Sequence, residues 1–375
     1  MNLGVIGYGT RIKSVIRSLQ KEEPACKVTA VTDIRDSIVV EGRSEADEPV
    51  RFYRTPEAMM AEEKLDGILI GTRCSLHTEM ALKVLPTGIP LFLEKPVATT
   101  MEDARRLKTG FEAGKSKVVV SFPLRVTSMV QLVKEIIDSG KIGTVEHVQA
   151  FNNVPYGGVY FHSWYRDEKE TGGLFLQKAT HDFDYINHIL GLRPTQVCAM
   201  TSKQVFRGTK PAGLECVDCE ENRTCADSSV YGPQKTSGWG SCSFAVDTGN
   251  EDSGSAIIRY ETGMHASYSQ NFFVRRSAGK RGATFIGYKG TVEFDFMTRE
   301  VKVVMHHTPR VETHLFESAE DHFGGDLVLA RSFIQLMREG GESASSLESG
   351  LSSALLCLKA KESAQTGTFQ DISWE

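Results

Sequence analysis

The stretch Leu3-Gly4-Val5-Ile6-Gly7-Tyr8-Gly9-Thr10-Arg11 passes from an aliphatic run through two glycines into a helix-like segment over 11–20. An aliphatic run without alternation suits a strand buried on both faces of a parallel sheet. Gly7 permits the tight turn after such a strand. Gly9 lets the backbone approach a pyrophosphate held at the N-terminus of the next helix. Tyr8, Thr10 and Arg11 lie on the same turn and are candidate cofactor contacts, while Ile12 stands where a third glycine would complete the motif. Asp33 ends the second aliphatic run, 24 residues after Gly9, where an acid binds the adenosine ribose hydroxyls. Its carboxylate repels a 2′-phosphate, so NAD is the expected cofactor; Arg35 leaves room for NADP. Taken alone, the motif also fits an ordinary glycine turn.

The same alternation continues outward. Val28–Val31, Ile68–Ile70, Leu91–Leu93 and Val118–Val120 are short aliphatic runs, separated by helical segments that include 75–85 and 101–113. This βαβα order predicts an α/β fold whose first domain, residues 1–121, is a doubly wound parallel sheet. The pattern changes near Pro123. Met129, Leu132, Val133, Ile136 and Ile137 recur at helical spacing up to Gly140. Strand-like segments then dominate at 145–151, 196–201, 255–260, 264–270, 282–287, 290–296 and 301–306, joined by short turns that favour an antiparallel meander. A second domain over 122–375 is expected, with an insertion at 203–254 and C-terminal helices over 326–364.

The chain has 375 residues, 40% of them apolar, and a formal net charge of −5. The apolar fraction excludes intrinsic disorder, and the mild acidity argues against non-specific nucleic-acid binding. No apolar run reaches the ~18 residues of a membrane span, and no basic leader precedes Leu3. A cytoplasmic protein is expected. Of eight cysteines, four are scattered, while Cys216, Cys219, Cys225 and Cys242 fall within 27 residues. Two-residue spacing in the first pair and a fourth thiol at Cys242 predict a structural zinc site that pins the insertion. Metal-free thiols and a disulfide are the alternatives.

Glu94-Lys95-Pro96 after the buried Leu91-Phe92-Leu93 strand completes a recognisable series. With the glycine turn, Thr72 through His77, Arg125, Trp164, Gly172-Gly173, His181-Asp182-Phe183-Asp184 and His322-x-Gly-Gly-Asp326, the chain resembles the Gfo/Idh/MocA family. That family comprises glucose–fructose oxidoreductase, inositol dehydrogenase and their relatives. The resemblance implies a Rossmann domain followed by an α/β domain with an open, mostly antiparallel sheet, whose open face forms homo-dimers or homo-tetramers in many members. It also implies an NAD(P)-dependent oxidoreductase acting on a hydroxyl of a sugar, sugar derivative or cyclitol.

The resemblance assigns roles residue by residue. Lys95 matches the lysine between nicotinamide and substrate, which hydrogen-bonds the reacting hydroxyl. His181 matches the substrate-side acid/base. Thr72, His77 and Glu94 fall at the cofactor pocket. Trp164, Arg166, Gln177 and Asp182 fall on the substrate side, and Tyr156-Gly157-Gly158-Val159-Tyr160 has the composition of a lid. Gln177 replaces the aspartate that inositol-dehydrogenase-like members carry four residues before the histidine. Lys178, roughly one helical turn before His181, is a candidate catalytic cation or a contact to an anionic sugar. A second implied activity is that of the family's NAD-dependent glycosidases. They carry Tyr-Pro-Thr-His where this chain has Lys178-Ala179-Thr180-His181, and they work by transient oxidation, elimination, hydration and re-reduction.

Overall fold

Five aliphatic runs and one unannounced tripeptide make the first sheet. In a computed structural model of the chain, which describes residues 1–35, 50–232, 238–317 and 322–374, the strands are β1 (Asn2–Ile6), β2 (Lys27–Thr32), β3 (Arg51–Tyr53), β4 (Gly67–Ile70), β5 (Leu91–Leu93) and β6 (Val118–Val120). All are parallel, in the order β3-β2-β1-β4-β5-β6. The order reverses between β1 and β4, which is where a doubly wound sheet opens its ligand crevice. Arg51–Tyr53 escapes sequence detection because an edge strand of three partly exposed residues carries no aliphatic run.

Helix Thr10–Glu22 buries Ile12, Val15, Ile16 and Leu19. Leu329, Ala330, Phe333 and Ile334 of helix Gly325–Glu339 join the same core, with Leu3, Val5 and Phe92 of the sheet. Each large apolar side chain buried here stabilises by about 1.5–3 kcal/mol. This packing accounts for a departure from the sequence-based boundaries. The chain divides into Met1–Gln131 with Ser318–Leu355 and Trp374, and Leu132–Glu317 with Leu356–Ser373. The Gly325 helix therefore belongs with the first unit, not with the second domain of 122–375, because its apolar face completes the first unit's core.

The second unit carries a nine-stranded sheet. It contains β7 (Val145–Asn153), β8 (Pro194–Ser202), β9 (Ser253–Tyr260), β10 (His265–Asn271), β11 (Lys280–Gly287), β12 (Gly290–Asp295), β13 (Glu300–Met305), β14 (Val311–Leu315) and β15 (Gln370–Asp371). Their order is β14-β13-β12-β11-β7-β10-β9-β8-β15. The expected meander holds for β11 to β14, whereas β7 lies in mid-sheet, antiparallel to β11 and parallel to β10. Among the described residues, no helix is long and apolar enough to cross a membrane.

The described part of the 203–254 insertion (residues 233–237 lie outside it) is held by polar and aromatic contacts. Arg166 reaches Asp247 and Thr248 at 2.8 and 2.9 Å. Asn250 donates to the carbonyls of Tyr160 and Tyr165 at 3.0 and 2.8 Å, and Phe206 lies against Phe161. Among the described residues, no three His, Cys, Asp or Glu side chains are grouped to hold a metal ion, and all four clustered cysteines are free thiols. The described residues thus lend the structural zinc expectation no support. Each of three sulfurs turns to local partners instead: Cys216 to His162, Ser229 and the Ser241 carbonyl, Cys225 to the Asp227 backbone, and Cys242 to the Phe244 backbone. Burial raises the Cys216 thiol, but the hydrogen bonds from His162 and Ser229 bring it to about 7.

Candidate active site

The glycine turn is built for a close backbone approach. Gly7 has φ +83°, and a Cβ there would lie 2.7 Å from the Thr72 nitrogen. At Gly9 the nearest atom to a Cβ would be the Gly71 oxygen at 3.8 Å, so the face of the turn is clear. No side chain caps the helix that starts at Thr10. Its first backbone N–H groups and dipole therefore remain available to an anion. A pyrophosphate fits these features. The third glycine's space is supplied from across the turn, because a Cβ on Gly71 would lie 2.7 Å from the Ile12 Cβ. Ile12 is tolerated because Gly71 faces it.

Asp33 accepts the Tyr8 backbone N–H at 2.8 Å and three Arg35 donors at 2.9–3.0 Å. Burial alone would raise its carboxyl; Arg35 and the Tyr8 N–H bring it below the ordinary carboxylate range. The Arg35 side chain is 53% exposed, so it can give way to ribose hydroxyls at little cost. Asp33 is thus a carboxylate held in place by groups that can be exchanged.

Three expected cofactor contacts have other employment. Arg11 gives Nε to Glu94 at 2.9 Å, Nη1 and Nη2 to Asp326 at 2.8 and 2.7 Å, and Nη2 also to Ser121 at 3.0 Å. Four of its five N–H directions are therefore taken. Arg11 and Glu94 form an internal brace rather than a side-chain cradle for phosphate. His77, 1% exposed, contacts the Pro96 carbonyl through Nδ1 at 2.7 Å and the Thr72 carbonyl through Nε2 at 3.3 Å. Burial lowers its pKa, so the neutral imidazole holds the Lys95-Pro96 turn in place. Lys95 itself is half-buried directly after β5 and Glu94, and the Lys95–Pro96 bond is cis.

The second unit gathers the substrate-side candidates where a helix begins. Phe175–Ala179 form a π-helical turn that runs into helix Thr180–Leu190, an irregularity found mostly at functional sites. Glu251 Oε1 accepts the Leu174 and Phe175 N–H groups at 2.8 and 2.9 Å, which caps this entry. Gln177, Lys178 and His181 are all buried. Lys178 Nζ donates to the Tyr156 hydroxyl at 2.5 Å and sits 4.6 Å from the Tyr156 ring centroid and 5.8 Å from that of Tyr160. Burial, with Arg281 as a further cause, lowers the Lys178 pKa.

Asp182 does not face a ligand. It is 0% exposed, and its oxygens accept Arg281 Nε at 2.8 Å, Asn152 Nδ2 at 2.7 Å and the Tyr268 hydroxyl at 2.8 Å. Its expected place as a substrate contact is corrected to a buried anchor for Arg281. The Arg166 guanidinium is tied to the insertion, as described above. Trp164 stacks on Tyr165 at 3.9 Å, and with His162, Arg166, Glu215 and Trp239 it lines an open cavity of about 460 Å³ that does not include Lys178. Sequence reasoning missed Tyr156 and Arg281 as members of the cluster. The only signal at Tyr156 was its place beside Gly157, and that glycine shows the loop to be anchored. A Cβ at Gly157 would lie 1.9 Å from the Phe272 oxygen, so this position is packed against backbone and not part of a free lid.

Comparison with known proteins agrees with this architecture. Residues 1–123 match the oxidoreductase family, NAD-binding Rossmann fold, and residues 130–293 match the GFO/IDH/MocA C-terminal domain. The rhizopine catabolism protein MocA of Rhizobium meliloti is 26% identical over 208 residues, 55% of this chain and 62% of that protein. Inositol 2-dehydrogenase 2 of Saccharopolyspora erythraea is 27% identical over 224 residues, 60% of this chain and 61% of that protein. The chain thus spans about three fifths of the length of the curated relatives it matches. Among solved structures, levoglucosan dehydrogenase in complex with NADH and levoglucosan superposes with a TM-score of 0.79 at 17% identity, covering 99% of each chain. Myo-inositol 2-dehydrogenase from Lactobacillus plantarum gives 0.75 at 18% identity, covering 100% of this chain and 99% of that one. At these identities the structural likeness shows a shared fold.

Proposed function

The chain belongs to the Gfo/Idh/MocA oxidoreductase family, and from that premise we propose that it transfers a hydride between NAD and a hydroxyl-bearing carbon of a sugar, sugar derivative or cyclitol. The observation that carries this is the turn between β1 and the first helix, at the point where the sheet order reverses. There Gly7 and Gly9 clear the backbone, and Asp33 stands at the end of the neighbouring strand. When bound, the oxidised nicotinamide supplies the hydride acceptor. The protein's part is binding, orientation and proton handling. Helix N–H groups hold the pyrophosphate, and Asp33 takes the ribose hydroxyls in place of Arg35 and favours NAD over NADP. Lys95 hydrogen-bonds the reacting hydroxyl, and His181 serves as its acid/base partner. The ammonium of Lys178 extends the substrate range to anionic sugars. Relatives named for inositol and a fold neighbour bound to levoglucosan support the polyol and sugar class. A homo-oligomer is part of the same proposal.

A panel of cyclitols, sugars, sugar acids and aryl glycosides, with NAD and NADP, tests it. Net NADH formed from one of the polyols is the expected result, with Lys95→Ala lowering kcat by about 10²–10⁴-fold. Aryl glycoside turnover without net NADH would instead assign the redox-neutral glycosidase cycle. No turnover of any member would reject both.

A further inference from the structure

We propose that Tyr156 is a proton-transfer group of the reaction site, its phenolic oxygen held and polarised by the Lys178 ammonium. The proposal rests on the oxidoreductase reading above and deepens it. Tyr156 joins two environments: 42% of its surface is open, yet its hydroxyl meets the Nζ of a lysine that is 6% exposed. The Lys178 Nζ donates to the Tyr156 oxygen at 2.5 Å, a direct hydrogen bond with no group between them.

Three charged groups face this hydroxyl: Lys178 from the π-helical turn, Arg281 from β11 and Asp182 from helix Thr180–Leu190. Arg281 and Asp182 are paired at 2.8 Å, and Asp182 is saturated by Asn152 and Tyr268. The cluster therefore holds two cations and one carboxylate. Among the described residues, Lys178 has no salt-bridged carboxylate, and the Tyr156 hydroxyl is its hydrogen-bond partner. An ammonium taken out of water without a counter-ion is expensive. Ionising the phenol supplies the missing negative charge. Burial acts to raise the Tyr156 pKa, but the charges of Lys178 and Arg281 outweigh it and set the phenol below its ordinary value.

The loop is also fixed enough for the task. The Val154 N–H donates to the Asn271 carbonyl at 2.9 Å, and Gly157 is packed on Phe272. Tyr160 joins a core with Phe161, Leu174, Phe206 and Phe272. In the oxidative direction, the substrate hydroxyl gives its proton to the Tyr156 oxygen, which takes over the acceptor role assigned above to His181 and becomes a neutral phenol. As the C–O bond becomes a carbonyl, the hydride leaving the carbon would be taken up by oxidised nicotinamide when that cofactor is bound. Reduction runs the same transfers in reverse. Lys178 is a positioning residue in this scheme: it fixes the phenolic oxygen and stabilises its charged form.

Two measurements test this, one on the unliganded protein. Tyrosinate absorbance is followed against pH in wild type, Tyr156→Phe and Lys178→Met. The wild type minus Tyr156→Phe difference should show one phenol ionising below the ordinary value of about 10, and Lys178→Met should move it upward. In turnover, Tyr156→Phe should lower kcat by about 10²–10⁴-fold, with a smaller change in KM and loss of one limb of the pH–rate profile. A Tyr156 that ionises at or above the ordinary value, or that is indifferent to Lys178, overturns the proposal. So does a Phe variant with wild-type kcat and pH profile. If wild type oxidises no polyol, the oxidoreductase reading fails, while the titration still decides the Tyr156–Lys178 pair.

Discussion

Each unit buries a polar network around an arginine, and the two networks differ in their charge. In the first, Arg11 faces two carboxylates, Glu94 and Asp326, with the Ser121 hydroxyl completing its contacts. Four of the five Arg11 N–H groups have an acceptor, and acids outnumber the arginine. In the second, Asp182 pairs with Arg281, and Lys178 beside them meets the Tyr156 hydroxyl in place of a carboxylate. The first network is a brace. The second leaves a cation whose partner is a titratable phenol, and an unbalanced buried charge of this kind recurs where proton chemistry is done. The contrast separates the bracing arginine from the lysine that holds the phenol more clearly than burial does, since both networks are largely enclosed.

The sharpest way to break this contrast is Asp182→Asn. It leaves Arg281, whose side chain is 4% exposed, without a counter-ion beside an already uncompensated Lys178. Urea unfolding should show a loss of about 3–5 kcal/mol, and a loss below ~1 kcal/mol would mean that the pair is not the anchor assigned here. Arg11→Met should cost less, about 1–3 kcal/mol, because the Arg11 side chain is 29% exposed. Its pH dependence has a definite sign. Although burial alone would raise it, Asp326 is held far below the usual carboxylate range by Arg11 and His322. That stabilisation is complete above the unfolded value of about 3.9 and is lost as pH falls towards the folded one. The gap between wild type and Arg11→Met, followed by unfolding from neutral pH downward, should therefore narrow below about pH 4. The smallest effect concerns the turn itself. Gly71→Ala should destabilise by about 1–3 kcal/mol, and a double-mutant cycle with Ile12→Ala should return a favourable coupling of about 1 kcal/mol. Additive costs would show that the two positions do not compete for one space.

Legibility in the sequence followed the range of the interactions. The parallel strands were visible because each is an unbroken aliphatic run. The glycine turn was visible because its demands lie within five residues. Lys178 could be singled out by its spacing from His181, but its partner Tyr156 lies 22 residues away, beyond three short helical segments. Asp182 was misread for the same reason: in a linear motif it looks like a ligand-facing acid, whereas Asn152, Tyr268 and Arg281 reach it from 30, 86 and 99 residues away. For the cysteines, spacing alone suggested a metal knuckle, and the described residues gather no three ligands that would support it. The Gly325 helix was located correctly and given to the wrong domain, because periodicity reveals an apolar face and not the core it will cover.

The facing pair of Ile12 and Gly71 also constrains how this turn could have arisen. A Cβ at position 71 would lie 2.7 Å from the Ile12 Cβ, so side chains at both positions force one of them to shift. Exchanging the small residue between the helix and the loop after β4 is therefore least costly through a state with glycine at both sites.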